Sequence, residues 1–382
     1  MIDLHMTYEH IQATKAQVHM CICNTNLFPD SVSKGVYGFP HAGSVGTKSF
    51  WRSMASLYNI GRNDLIFLYR TNGIDPGCKE INGPFKIHNQ NGIPALFYDE
   101  LRGREPIYIQ TGRTERDRTY CNSRFLFTNT ENKYYSIADN YEVVKKYESK
   151  EIWGYRHPAV MNIGSARKKS ITSFTYKQAM TMLRLFEDFG VERGAINDQI
   201  PNQSIRDYYD ELIQSDTGFH VNEEYLLGNV NSNDEAYLYC YLIHCLKNRE
   251  SEISRSMLNR FSEINNPMYE EHGYVCFEEA SHNVLLEAII SPHLQDELDI
   301  VITDENDGGL TYFEIKAGLI DELAIQQTIR YLTLLSAVFS GKKVFANIIG
   351  NGLSVSDYRP ISNIRCIVYS KTADGTIAFT EQ

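Results

Sequence analysis

Apolar positions in the first third of the chain recur in short runs that alternate with polar positions and are interrupted by Gly, Pro and Asn. A period of two is typical of β-strands that bury one face. Between His19 and Phe127 this pattern therefore predicts a small β-barrel or a strongly bent sheet. The predicted strands read VHMCIC, DLIFLYR, GPFKIH, PIYIQ and RFLFT.

Two segments of the N-terminal half instead have the apolar spacing of helices. KSFWRSMASLYNIG predicts a short helix that ends at its last glycine. A longer helix is predicted over YKQAMTMLRLFEDFG, because Thr175 is a suitable N-cap, Gln178 lies three positions further on, and Gly190 follows the last apolar residue.

The pattern changes after a polar, turn-rich stretch between Val191 and Asn233. Two helices are predicted next, and they are followed by strands, another helix and two more strands. This order indicates an α/β domain with a central mixed sheet. We therefore predict a β-rich domain over residues 1–172, a helical connector over 173–230 and an α/β domain over 231–382. The predicted C-terminal elements read, in order, DEAYLYCYLIHCLKNR, SEISRSMLNRF, GYVCFEE, LDIVIT, LTYFEIKAG, DELAIQQTIRYLTLLSAVF, KVFANIIG and RCIVYS.

Composition narrows the classes of protein that fit this pattern. A chain of 382 residues is longer than a single core usually supports, which agrees with two domains. The net charge of −11 argues against a uniformly basic nucleic-acid surface, although basic residues cluster locally at Arg156, Lys168 and Lys169. We find neither a bilayer-spanning apolar stretch nor a secretory signal, so the sequence predicts a cytoplasmic protein without a membrane partner.

Three charged residues of the C-terminal part have the composition of a catalytic site. Asp299 stands in the apolar strand LDIVIT, and Glu314 and Lys316 lie two apart in the next strand, so both point to one face. The short turn between the strands returns Asp299 to this pair. Two carboxylates and an ammonium can hold a hard divalent cation and position a water. The alternative is a surface salt bridge between Glu314 and Lys316, which leaves Asp299 unexplained.

This region resembles the PD-(D/E)xK nuclease superfamily, with ELDIVI supplying the acidic residue and YFEIKAG the E-x-K element. Gln327 and Tyr331 on the following helix have the Q-x-x-x-Y spacing of RecB-like members and are similar to the archaeal mismatch-type endonucleases. The resemblance implies a restriction-endonuclease-like fold, a Mg²⁺ or Mn²⁺ ion on Asp299 and Glu314, and catalytic roles for Lys316, Gln327 and Tyr331. A further acidic ligand often comes from a preceding helix in this family. Glu235 is our choice for it, with Glu252 second and Glu297 as an acid behind the ligands.

The N-terminal half, with FWRSMASLYNIGRNDLIFLYR and NGPFKIH, resembles PUA-like domains of the EVE or YTH type. Such domains receive a nucleotide base in an aromatic pocket. For such a role the sequence itself offers the two tryptophans Trp51 and Trp153 for base stacking, and the basic Arg156, Lys168 and Lys169 for phosphate contacts. Alternatively, the aromatic residues fill a barrel core and the basic residues form a solvated face.

Together these features predict a Mg²⁺- or Mn²⁺-dependent DNA endonuclease whose N-terminal module recognises DNA, including DNA with a modified base, in restriction or repair. Two alternatives stay open: an RNA-directed nuclease and a non-catalytic nucleic-acid-binding protein. The sequence also leaves monomer and homodimer open.

Overall fold

The computed structural model of the chain divides into two compact units, each built from two segments. Unit 1 comprises Met1–Gly43 and Ile60–Asn222, and unit 2 comprises Ser44–Asn59 and Glu223–Gln382. The structure describes residues 4–24, 28–39, 46–71, 79–90, 93–94, 96–98, 110–111, 119–120, 123–130, 133–138, 171–194, 219–220, 234–248, 251–272, 282–291, 296–304, 309–338, 341, 343–355, 359–373 and 376–382.

Unit 1 is rich in β-structure, as its alternating pattern predicts. Its described helices are α1 (His5–Thr14), α2 (Phe28–Lys34) and α4 (Tyr176–Phe189). Its described strands are β1 (Val18–Asn24), β2 (Val36–Phe39), β3 (Leu65–Thr71), β4 (Glu80–Ile87), β5 (Asn89–Gln90), β6 (Ile93–Pro94), β7 (Leu96–Tyr98), β8 (Gln110–Thr111), β9 (Thr119–Tyr120), β10 (Ser123–Asn129), β11 (Tyr135–Ala138), β12 (Ile171–Phe174), β13 (Val191–Glu192) and β14 (Phe219–His220).

Ten of these strands form one mixed sheet that curls into a half-barrel. Its main order is β12-β1-β3-β4-β10-β7-β14, with β11 and β13 joined beside β4 and β2 beside β10. Only the β1–β3 pair is parallel among the described pairs of this sheet. The bent sheet predicted from the sequence is therefore present.

Helix α4 completes the core of unit 1. Thr175 and Gln178 form the predicted capping box, in which each side chain accepts a hydrogen bond from the other residue's backbone N–H. The apolar face of α4 is buried with residues of β1, β3 and β11, and Phe186 packs on Phe67 with ring centroids 5.1 Å apart. The segment that we assigned to a connector thus supplies part of the core of unit 1.

Unit 2 has the α/β architecture that its element order predicts. Its described helices are α3 (Lys48–Tyr58), α5 (Glu235–Lys247), α6 (Glu252–His272) and α7 (Glu322–Val338). None of the helices in the described ranges of the chain combines the length and the apolar character needed to cross a membrane. The described strands of unit 2 are β15 (His282–Ser291), β16 (Asp296–Asp304), β17 (Leu310–Ile315), β18 (Leu319–Ile320), β19 (Val344–Gly350), β20 (Gly352–Leu353), β21 (Ile364–Lys371) and β22 (Ile377–Glu381).

A six-stranded mixed sheet organises unit 2, in the order β15-β16-β17-β19-β21-β22. Strands β15, β16 and β17 form an antiparallel meander, and β17, β19 and β21 are parallel. Helix α7 connects β17 to β19. The sequence pattern did not predict β15 and β22, and the predicted strand GYVCFEE lies outside the described residues.

Helix α3 lies in the first 60 residues of the chain but belongs to unit 2. Thr47 caps it by accepting a hydrogen bond from the Phe50 N–H, and the helix ends at Tyr58, close to the predicted end. The Trp51 ring meets Tyr237 of α5 edge to face, with centroids 4.9 Å apart. The sequence predicts this helix correctly, but the partner of its apolar face is more than 180 residues away along the chain.

Candidate active site

The register of β16 and β17 brings Asp299 and Glu314 together. Ile300 pairs with Phe313, so Asp299 and Glu314 are the next pair along the two antiparallel strands. The Ile315 N–H donates a hydrogen bond of 2.8 Å to Asp299 Oδ2, which fixes this carboxylate against β17. The hairpin therefore places the two acids as the spacing predicts.

Lys316 connects this acidic pair to helix α7. Its ammonium donates to Glu314 Oε1 at 2.5 Å and to Gln327 Oε1 at 3.2 Å. The side-chain amide nitrogen Nε2 of Gln327 donates to the Tyr331 hydroxyl at 3.0 Å. The Tyr331 ring meets Tyr312 of β17 edge to face, with centroids 5.9 Å apart. Four of the predicted site residues thus form one hydrogen-bonded chain from the sheet to the helix.

Burial distinguishes this arrangement from a surface salt bridge. The Glu314 side chain is only 4% exposed and that of Lys316 is 27% exposed. An ion pair removed from water loses much of its hydration, and replacing such pairs by apolar residues is often neutral or stabilising. The fold therefore keeps a costly group of charges at this position.

The pKa values of the two acids also show that their charged forms are disfavoured at this position. Burial is the main cause that raises the pKa of Asp299 well above its usual range, and the charge of Glu314 adds to it. Burial also raises the pKa of Glu314, although Lys316 opposes this shift. For Lys316, burial lowers the pKa, but Glu314, Asp299 and Glu235 together raise it. Both acids would ionise more easily with an added positive charge.

Glu235 belongs to the same electrostatic group. It is the first residue of α5, whose N-cap is Asp234, and its charge contributes to the raised pKa of Asp299, Glu314 and Lys316. Glu252, the second choice from the sequence, is the exposed first residue of α6 and contributes to none of these shifts. The side chain of Glu297 lies outside the described residues.

The chemistry of the donor set fits a hard divalent cation. Asp299, Glu314 and Glu235 offer carboxylate oxygens, the ligand type that Mg²⁺ and Mn²⁺ prefer. In the described part of the chain, no three His, Cys, Asp or Glu side chains already have positions that could hold a metal ion. One oxygen of Glu314 accepts a hydrogen bond from the Lys316 ammonium.

The backbone that follows Lys316 is fixed by the end of β19. Lys316 N–H donates to the Ile349 carbonyl at 2.8 Å, and Asn351 N–H donates to the Gly318 carbonyl at 2.9 Å. A Cβ atom on Gly350 would lie 2.7 Å from Ile320 Cγ1 and 2.9 Å from the Gly318 carbonyl oxygen, so only glycine permits this approach. Gly350 was not among the residues predicted from the sequence. Its position at the end of an apolar strand is a signal that could have indicated it.

Gly318, which lies two residues after Lys316, has no such constraint. It is exposed, and a Cβ atom there would meet nothing within 4 Å. The close approach of the two chain segments therefore depends on Gly350 rather than on the glycine of the E-x-K motif.

The residues predicted to bind nucleic acid do not join this group. Trp51 is 1% exposed and packs between Phe50 and Tyr237, so its ring has no free face for a base. Its position corresponds to the alternative interpretation, an aromatic residue in a core. The other four predicted contacts lie outside the described residues: Trp153, Arg156, Lys168 and Lys169.

Comparison with protein-family models gives no match to this chain, and comparison with curated proteins gives none either. The class of protein that the site indicates therefore rests on its geometry and on the motifs themselves. The features that carry it are the buried Glu314 with the adjacent Asp299, the neighbouring lysine, and a Gln–Tyr pair on the next helix.

Proposed function

We propose that the chain is a metal-dependent nuclease that hydrolyses phosphodiester bonds in DNA. The observation that carries this proposal is the hydrogen-bonded chain Glu314–Lys316–Gln327–Tyr331 beside the partly buried Asp299. Phosphodiester hydrolysis needs positive charge beside the phosphate and a positioned water. The fold groups two acids and a lysine on neighbouring strands, and this composition supports a role in both tasks.

The residues of the chain have separate tasks in this mechanism. Asp299, Glu314 and Glu235 would hold Mg²⁺ or Mn²⁺, which when bound supplies Lewis acidity toward the phosphate and lowers the pKa of water. Lys316 places its ammonium where negative charge develops on the phosphate oxygens. Gln327 holds that ammonium in place, and Tyr331 holds the Gln327 amide.

Unit 1 is the proposed recognition module for DNA, including DNA with a modified base. The curled half-barrel sheet supports this assignment in a general way, since it can present a concave face. Trp153, Arg156, Lys168 and Lys169 are its proposed contacts. With cleavage in unit 2, this plan suits restriction or repair.

The decisive experiment offers the full chain methylated DNA, unmodified DNA and RNA, each with Mg²⁺, with Mn²⁺ and with excess EDTA. Cleavage of DNA that stops with EDTA supports the proposal. Undiminished cleavage in EDTA would remove the metal assignment. Cleavage of RNA alone would make the chain an RNA-directed nuclease, and binding without cleavage would leave a non-catalytic nucleic-acid-binding protein.

Trp153→Ala in the full chain tests the recognition module. An aromatic platform contributes about 1–3 kcal/mol per stacked base, so DNA affinity should fall while its salt dependence remains. Neutralising Lys168 and Lys169 should instead flatten the dependence of affinity on salt. Unchanged affinity in all three variants would remove these residues from the DNA interface.

A further inference from the structure

Exposed apolar side chains are concentrated beside the candidate site. Three large apolar side chains of unit 2 are exposed within the described residues, and they lie between positions 319 and 329. Leu319 is 55% exposed, Leu323 73% and Ile329 41%. Solvent-exposed leucines are common one at a time, but a group of them next to a catalytic constellation indicates a contact surface.

Helical geometry separates Leu323 from Ile329, while Leu319 lies before the helix. Leu323 precedes Gln327 by four residues, so the two side chains lie about 40° apart around α7. Leu319 stands three residues after Lys316, at the start of β18. Ile329 follows Gln327 by two residues and therefore lies about 200° away from it around the helix. Leu323 thus lies on the Gln327 side of α7 and Leu319 follows Lys316 closely along the chain, whereas Ile329 lies on another side of the helix.

The same side of α7 also carries a cation. Arg330 is exposed and follows Gln327 by three residues, and its guanidinium lies 5.1 Å from the centre of the Tyr331 ring. Leu323, Gln327 and Arg330 therefore follow one side of the helix over about 10 Å.

We propose that Leu319, Leu323 and Arg330 form a strand-binding track beside Lys316, in which the leucines contact unstacked bases and Arg330 contacts a phosphate. The track rests on the proposed function for the identity of its partner as nucleic acid. An apolar side chain gains most from a base face that is not already stacked, as in single-stranded or distorted DNA. One strand of nucleic acid presents phosphates on one side and bases on the other. The Arg330 guanidinium is complementary to the phosphates, and the leucine side chains are complementary to the bases.

The test is a fluorescence anisotropy titration of the full chain in EDTA with a short fluorescein-labelled single-stranded DNA and with the same strand in a duplex. The double variant Leu319→Gln, Leu323→Gln should weaken single-strand binding about tenfold and duplex binding less. Arg330→Gln should lower the dependence of log affinity on log salt by about 0.7 for the single strand. Ile329→Gln is the matched control, since it is apolar, exposed and on the same helix, and its affinity should equal that of wild type.

Cleavage measured separately with Mg²⁺ keeps the two proposals distinct. Wild-type binding that falls in the track variants supports the track, even if no substrate is cut and the nuclease proposal fails. Cleavage by wild type together with unchanged binding in the track variants overturns the track alone. The track is also overturned if wild type binds neither DNA form, or if the leucine variants change only the oligomeric state in sedimentation, which would assign these leucines to contacts between copies of the chain.

Discussion

Lys316 contacts groups from both sides of the candidate site, an acid of the sheet and an amide of α7. Lys316→Met keeps much of the side-chain volume but removes the charge. We expect cleavage to fall by about 10²–10³-fold or more, as for the loss of other single groups that stabilise a transition state. Single-turnover cleavage with Mg²⁺ measures this effect, and wild-type rates in the variant would exclude a catalytic role for Lys316.

Asp299→Ala and Glu314→Ala should each abolish cleavage while leaving DNA binding largely intact, because they remove proposed metal ligands. Gln327→Ala and Tyr331→Ala should reduce the rate less, since these side chains orient Lys316 rather than react. Gln326→Ala is the control for Gln327→Ala: Gln326 is exposed and donates to Glu322 on the outer side of α7. Equal losses in the Gln326 and Gln327 variants would mean that the helix, and not the contact with Lys316, is responsible.

The raised pKa of Asp299 predicts how the stability of the metal-free protein depends on pH. The carboxyl binds its proton more tightly in the folded state than in the unfolded chain, where its pKa is near 3.8. Stability contributed by this group is therefore lost as pH rises from about that value through the raised pKa. Asp299→Asn cannot ionise, and its carbonyl can still accept from Ile315 N–H.

Differential scanning calorimetry in EDTA should accordingly give Asp299→Asn a higher melting temperature than wild type at pH 8, with the difference shrinking toward pH 4. Mg²⁺ should raise the melting temperature of wild type more than that of the variant, since the ion compensates the carboxylate charge that the Asp299→Asn variant lacks. A difference that does not change with pH would contradict the electrostatic explanation.

At the scale of elements, the close approach between the end of β19 and the segment after Lys316 depends on Gly350. Gly350→Ala forces Ile320 and the Gly318 carbonyl to move, and overpacking of this kind typically costs about 1–3 kcal/mol. The moved segment begins at Lys316, so we expect the cleavage rate to fall together with stability. Gly318→Ala is the matched control because a Cβ atom there meets nothing within 4 Å. Urea unfolding and cleavage assays should both leave Gly318→Ala close to wild type.

The hairpin that carries the site was the most predictable part of the structure. Strands β16 and β17 are apolar runs separated by a short turn, so their antiparallel register and the meeting of Asp299 with Glu314 follow from the period of two. Strand β15 was missed because HNVLLEAIIS lacks the alternation on which the strand prediction relied. Strand β22 was missed because IAFTE is short, and it needs the register with β21 to be recognised.

Contacts between distant segments were beyond the reach of the pattern. The spacing in KSFWRSMASLY predicts an amphipathic helix, but no local signal states that Tyr237 covers Trp51. The strand pattern can draw attention to Gly350, but it does not identify Ile320, thirty residues earlier in the chain, as the residue that Gly350 must accommodate. Glu235 was chosen only by resemblance, and its electrostatic link to Asp299 becomes visible only in the folded unit.

At the scale of the whole molecule, the two units are not two successive stretches of the chain, because each is built from two separate segments. Segment 1–172, which the sequence predicts as a module, ends before Phe174 and before α4, whose residues are buried in the core of unit 1. It also retains α3, which belongs to unit 2. We therefore expect this segment to lack a cooperative unfolding transition in near-ultraviolet circular dichroism. A sharp transition like that of the full chain would show that α4 is dispensable for folding.

Substitutions of Trp51 test whether this residue is part of the core of unit 2. Replacing a buried aromatic residue by alanine typically costs about 3–5 kcal/mol, so Trp51→Ala should strongly lower the free energy of unfolding in urea. Its neighbour Arg52 is exposed on the same helix, and Arg52→Ala should have little effect on stability. Trp51→Phe should retain most of the stability and full DNA affinity. Selective loss of DNA binding in the folded Trp51→Phe variant would restore a stacking role for this residue.

The last prediction concerns unit 2 as a discontinuous domain. Helix α3 buries Phe50, Trp51, Met54 and Leu57, and losing their burial is comparable with the total stability of a typical domain, about 5–15 kcal/mol. A fragment of residues 223–382 should therefore unfold without cooperativity, whereas residues 44–59 joined to it by a flexible linker should restore a cooperative transition. The same fusion carrying Trp51→Ala should lose that transition, and the one carrying Arg52→Ala should keep it. If residues 223–382 alone melted as sharply as the fusion, α3 would be an accessory to unit 2 rather than a part of its core.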